Sequence, residues 1–177
     1  MASLFLALTV PESVAQALQP IYTHYVSVLE ERTPRDNLHV TLVWLGPAEV
    51  PSELVEGLLK PLPQSFVPTV RLTHVGRGRA RQQLWAAVEA TGPIVALRQQ
   101  LIKRLKKVGW QLPKNTLRRP FSPHITVGTL YDQVSHIGVA DHSLITSYTV
   151  SEIVLYQSEP VPGKPSHYTR VGSISLV

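Results

Sequence analysis

The chain has 177 residues, of which 44% are hydrophobic and 16% charged, so it is a globular protein with material for one domain, or two small lobes sharing a core, and is not a disordered segment. It contains no cysteine, which excludes a disulfide framework, a thiolate nucleophile and a cysteine-based metal site, and fits a reducing cytoplasm. The formal charge of +5 suits an anionic partner, and it equally suits ordinary solubility.

In chain order, "SLFLALTV" is apolar and β-prone and ends at Pro11, so it reads as a buried first strand. With no basic leader and too short a run to span a bilayer, it is not a membrane segment. From Pro11 to about Glu31, Val14, Leu18, Ile21, Tyr22, Tyr25 and Leu29 recur at helical spacing, with Pro20 placed to kink or divide the helix. "TPRDN" reads as a loop, "LHVTLVWL" as a strand closed by Gly46-Pro47, and "PSELVEGLLKPL" as a short amphipathic helix. "FVPTVRLTHVG" and "QQLWAAVEA" are strand-like runs joined by the basic tip "RGRAR", which predicts a hairpin. In "GPIVALRQQLIKRLKKVGW" the apolar stripe Ile94, Leu97, Leu101, Leu105 and Val108 predicts a helix. A polar loop, "PKNTLRRPFSP", leads into the strand "HITVGTLY", and two further strands, "SYTVSEIVLYQS" and "HYTRVGSISLV", flank the loop "EPVPGKP". Helices do not follow strands regularly, so an α+β fold is expected over a doubly wound parallel sheet.

One pattern occurs twice: His39-Val-Thr41-Leu and His124-Ile-Thr126-Val, 85 positions apart (124 − 39), nearly half the chain. In a strand, alternate side chains share a face, so each copy offers an imidazole beside a hydroxyl while its apolar residues face the core. An internal duplication whose halves face each other across a groove accounts for the spacing. Displacement at phosphorus needs a base on the attacking oxygen and an acid on the departing one, at opposite ends of an in-line axis. Two histidines titrating near neutrality supply both, and each threonine hydroxyl can donate to a non-bridging oxygen. Neither motif has His-x-x-x-His or His-Glu spacing, and histidines 24, 74, 136 and 142 stand singly, so no metal ligand set and no cofactor are expected.

With "RPFSPHITV" leading into its second copy, the double motif resembles the two-histidine (2H) phosphoesterase superfamily, and within it the LigT-like RNA 2′,3′-cyclic phosphodiesterases, also called 2′-5′ RNA ligases. "LFLALTVP", "NLHVTLVWLG", "LWAAVE", "RPFSPHITVGTL" and "IVLYQSEPVPGKPSHYTRV" carry the resemblance over nearly the whole chain. It implies a single bilobal domain over residues 1–177, with two antiparallel sheets related by a pseudo-twofold about a central groove and helices outside. It further implies a monomeric cytoplasmic enzyme that opens 2′,3′-cyclic phosphates at RNA ends to 2′-phosphates without a metal. In that picture His124 activates water, His39 protonates the departing 3′ oxygen, and Thr41 and Thr126 bind the phosphate. The reverse reaction, joining tRNA halves through a 2′-5′ bond, stays open, as does an RNA-end-binding module without turnover.

Family members often carry an arginine just after the second motif, where this chain has Thr129. Arg35, Arg118 and Arg119, in the loops before the two motifs, are the candidates to replace it, and Tyr168 is a candidate nucleotide contact. The "RGRAR" arginines Arg77, Arg79 and Arg81 are candidates for tracking an RNA backbone. Face counting puts Trp44 with Val40 and Leu42 in the core, in the absence of a bulge, and gives Phe5 a structural role.

Overall fold

The computed structural model describes residues 2–49, 52–62, 69–78, 82–137, 146–162 and 164–176. In chain order these form β1 (Ser3–Thr9), α1 (Glu12–Ala17), α2 (Gln19–His24), β2 (Leu29–Arg32), a 3-10 turn at Arg35–Asn37, β3 (His39–Pro47) and α3 (Ser52–Leu58). Then come β4 (Thr69–Arg77), β5 (Gln83–Val88), α4 (Gly92–Lys107), α5 (Lys114–Arg118), β6 (His124–Leu130), β7 (Ser147–Thr149), β8 (Glu152–Val161) and β9 (Lys164–Ser175). The architecture is α+β, with every pairing between these strands antiparallel. The strand order is β7-β4-β5-β6-β3-β1-β8-β9, and β2 adds to β6. The two halves, β7-β4-β5-β6 and β3-β1-β8-β9, meet at one residue pair, Val40 with Ile125.

Alternation is strict in β5. β5 buries Leu84, Ala86 and Val88 and leaves Gln83, Trp85 and Ala87 on the other face. α4 lays Ile94, Leu97, Leu101 and Leu105, all fully buried, toward β3 and β4, each contributing about 1.5–3 kcal/mol of apolar burial. Arg104, at the basic end of the same helix, turns back to donate to the Leu58 carbonyl at 3.1 Å. No helix among the described residues is long and apolar enough to cross a membrane.

Several elements differ from the sequence reading. The helix expected to run to Glu31 ends at His24, after a division at Leu18 that leaves Pro20 in the first turn of α2, where its missing N–H costs no hydrogen bond. Leu29–Arg32 instead becomes β2, because β6 offers it an open edge. "SYTVSEIVLYQS" is two strands: β7 pairs with β4, while β8 pairs with β1 and β9. The polar loop before the second motif contains α5. β4 and β5 form the expected hairpin, though Arg79 and Arg81 of its tip lie outside the described residues, as does His142. Arg77 is spent internally, donating to the Ser135 carbonyl and to Gln82 Oε1.

β2 sits against β6 at a glycine. A Cβ on Gly128 would fall 2.5 Å from the Glu31 carbonyl oxygen and 2.7 Å from Leu29 Cδ2, and backbone cannot retreat as a flexible side chain can. Gly128→Ala is therefore expected to cost about 1–3 kcal/mol in urea unfolding, with faster amide exchange across Leu29–Arg32 as β2 is pushed off the sheet.

Candidate active site

Val40 and Ile125 are the second residues of the two motifs, and both are fully buried. Because the strands pair antiparallel only there, a twofold through this bridge exchanges His39 with His124 and Thr41 with Thr126. All four side chains rise on the face opposite the core and line one cavity of about 500 Å³. The remaining wall comes from Glu31, Arg32, Thr33 and Pro34, from Gln83 and Thr129 beside the second motif, and from Ser3, Phe5, Asn37, Trp44, Ser158, Ser166 and Tyr168 beside the first.

Each imidazole is fixed in the same way. His39 Nδ1 donates to the carbonyl of Asn37 at 2.7 Å, and His124 Nδ1 to that of Ser122 at 2.8 Å. A carbonyl can only accept, so Nδ1 keeps its hydrogen and Nε2 is the atom that gains or loses a proton. Nε2 of His39 lies 3.0 Å from Thr41 Oγ1. Asn37 also ties the turn before β3 to β9, its Nδ2 donating to the Ser166 carbonyl at 3.0 Å.

Aromatic rings back both histidines. Phe5 lies under His39 with centroids 4.8 Å apart, and Tyr168 meets the same ring edge-on at 5.4 Å. Trp85 stacks on His124 at 3.7 Å and 15°. This packing removes water from the rings. Burial pulls His39 down to about 4, with the nearby His124 pushing the same way and the Asn37 carbonyl opposing. Burial also lowers His124, against the pull of the Ser122 carbonyl. At neutral pH both rings are uncharged in the free protein, with bare Nε2 atoms.

Trp44 corrects the face count. β3 carries a bulge at Leu42: Ala7 pairs with Thr41 and Leu6 with Val43, so Leu42 and Val43 are both buried and Trp44 swings to the groove face, 40% exposed. β6 has the matching irregularity at Val127, since Trp85 pairs with Thr126 and Leu84 with Gly128. Thr129 thus reaches the groove as Trp44 does, five residues after its histidine. The carbonyls that the bulges turn outward are both satisfied, Leu42 by Arg98 Nε at 3.1 Å and Val127 by the Thr33 N–H at 3.0 Å. Phe5, read as structural, also lines the cavity.

The structure separates the other candidates. Tyr168 stands in the groove. Arg35 does not line it, pairing with Glu12 at a second cavity, and Arg118 and Arg119 project from α5 and its end, off the groove wall. Arg32 lines it and was missed, because it falls between the segment read as helix and the loop before the first motif. Trp85 was missed as well, although a tryptophan on the polar face of an alternating strand was a visible signal. Among the described residues no group of three or more His, Cys, Asp or Glu side chains forms a metal set.

A family model described as the 2′-5′ RNA ligase superfamily matches residues 10–159. An RNA 2′,3′-cyclic phosphodiesterase of Archaeoglobus fulgidus is 29% identical over 133 residues, covering 71% of this chain and 70% of that protein. One of Escherichia coli K12 is 27% identical over 168 residues, covering 94% and 92%. A solved structure from Thermus thermophilus superposes with a TM-score of 0.75 at 25% identity, covering 98% of this chain and 97% of that one. LigT of E. coli, crystallised with 3′-AMP, superposes with a TM-score of 0.71 at 23% identity, covering 98% and 97%. The fold is LigT-like, as the motif resemblance implied.

Between about pH 4 and 6.5 the native His39 holds fewer protons than the unfolded one, so stability falls as the pH drops through that interval. Acidification from pH 7 to 4 is expected to destabilise the wild type by about 3 kcal/mol more than His39→Gln, read from urea unfolding at a series of pH values.

Proposed function

The chain belongs to the 2′-5′ RNA ligase superfamily, and we propose that it hydrolyses 2′,3′-cyclic phosphates at RNA ends to 2′-phosphates by proton transfer through His39 and His124, without a metal. One observation carries the reading: two imidazoles, each with Nδ1 donating to the carbonyl two residues before it and so leaving Nε2 as the titrating atom, line one cavity from strands related by a local twofold. The relatives from A. fulgidus and E. coli that bear this activity as their name support the choice of substrate.

In the proposed reaction, His124 Nε2 takes a proton from water as its oxygen attacks phosphorus. The bond from phosphorus to the 3′ oxygen breaks, and His39 Nε2 returns a proton to that oxygen, leaving a 2′-phosphate and a free 3′-hydroxyl. Thr41 and Thr126 donate to the non-bridging oxygens as charge gathers there. In the free protein, a single proton shared between the rings resides on His124, since His39 is the more strongly depressed. Protonation of the departing oxygen needs it on Nε2 of His39; an anionic phosphate between the rings raises the pKa of both and so keeps the shared proton in the site.

His39→Ala and His124→Ala are each expected to lower hydrolysis of a nucleoside 2′,3′-cyclic phosphate by about 10²–10⁴-fold in the presence of EDTA, with the fold intact by circular dichroism. Full EDTA-insensitive activity in either variant contradicts the mechanism. The competent free protein carries one proton on two groups that both titrate below 6.5. A pH series is therefore expected to show kcat/KM peaking on the acid side of 6.5 and falling about tenfold per pH unit above it.

A further inference from the structure

The groove holds little fixed positive charge for a site that takes a phosphoester. Both histidines are neutral in the free protein at neutral pH. The threonines contribute only hydroxyl dipoles, and Glu31 on the wall is negative. Displacement at phosphorus adds charge to the non-bridging oxygens, and a cation beside them acts more strongly in a half-enclosed site than in water. Arg32 is the one arginine or lysine among the described residues that line the cavity.

Its position follows from register. Arg32 pairs opposite Gly128 and Glu31 opposite Thr129, so β2 runs about 4.8 Å, one strand spacing, from the strand that carries the second motif. The guanidinium lies over the Tyr22 ring, 4.6 Å from its centroid. Among the described residues Arg32 forms no ion pair, unlike Arg35, Arg71 and Arg170. It borders both the main cavity and the neighbouring one of about 310 Å³, and a face-on aromatic contact is weak enough to exchange for a phosphate.

We infer that Arg32 is the phosphate-binding cation of the groove, its guanidinium leaving the Tyr22 face to engage the non-bridging oxygens beside Thr126. The inference rests on reading the groove as a phosphoester site. It also makes the position of the cation transferable, because Thr129 lines the same cavity from the adjoining strand.

The test compares the wild type with Arg32→Gln, Arg32→Lys, the double variant Arg32→Gln/Thr129→Arg, and Arg71→Gln, which removes the same charge from β4. The readouts are kcat/KM on 2′,3′-cyclic AMP and calorimetric affinity for 2′-AMP at two salt concentrations. Arg32→Gln is expected to lose about 10²-fold in kcat/KM and about tenfold in affinity, with a flatter salt dependence. Arg32→Lys falls between, keeping the charge without the planar fork. The double variant regains at least tenfold over Arg32→Gln, and Arg71→Gln tracks the wild type. A purely structural Arg32 gives a lowered melting temperature that Thr129→Arg does not mend, with kcat/KM and affinity within about threefold of wild type, and that result overturns the inference. If the wild type turns over no cyclic phosphate, the proposed activity fails while 2′-AMP still decides Arg32. Equal affinity in wild type and Arg32→Gln, or no binding by the wild type, overturns it.

Discussion

The site depends on how little β3 and β6 pair. One bridge, Val40 to Ile125, joins the halves of the sheet, and beyond it the strands that carry the two motifs part and leave the groove between them. Parting strands expose backbone carbonyls that a continuous ladder would have used, and buried carbonyls left unpaired are costly. The helical side of the molecule meets that need on β3. Arg98 donates to Leu42, Thr116 Oγ1 to Trp44 at 2.8 Å, and Trp110 Nε1 to Leu45 at 3.2 Å. α4 and the segment after it thus satisfy the carbonyls of β3 as well as covering the core.

The chemistry of the histidines follows from the same packing. Each ring rests on an aromatic side chain and gives its Nδ1 hydrogen to a carbonyl on its own strand's approach, so both orientation and tautomer are set before any ligand arrives. Desolvation keeps the rings neutral, which leaves the groove short of positive charge and gives weight to Arg32, the one arginine or lysine on its wall among the described residues. The twofold governs the backbone more than the chemistry. Trp44 and Thr129 occupy matching places after the bulges, yet Phe5, Trp44 and Tyr168 crowd the His39 side while Gln83, Thr126 and Thr129 flank His124.

Much of this was legible in the chain. β-prone runs marked β3, β5 and β6, and period-two counting over the motifs assigned His39, Thr41, His124 and Thr126 to the face away from Val40 and Ile125. Counting failed where an extra residue entered a strand. The bulge at Leu42 shifted the count by one residue, so Trp44 came out on the wrong face. β2 was misread because its Leu29 continued a helical spacing, and nothing local reveals that β6 has an open edge. β7 and β8 read as one strand because both are β-prone, while their partners lie in different halves of the sheet.

The sequence by itself determined the residue types, their duplication and their shared face, because side-chain direction in a regular strand depends only on position. Tertiary structure alone decided which arginine belongs to the groove. Arg35, Arg118 and Arg119 lie nearest the motifs along the chain, but Arg32 lines the cavity, through a pairing of β2 with β6 between residues nearly a hundred positions apart. Bulges, edge pairings and the packing that neutralises an imidazole arise between segments distant in sequence, so no window along the chain contains them.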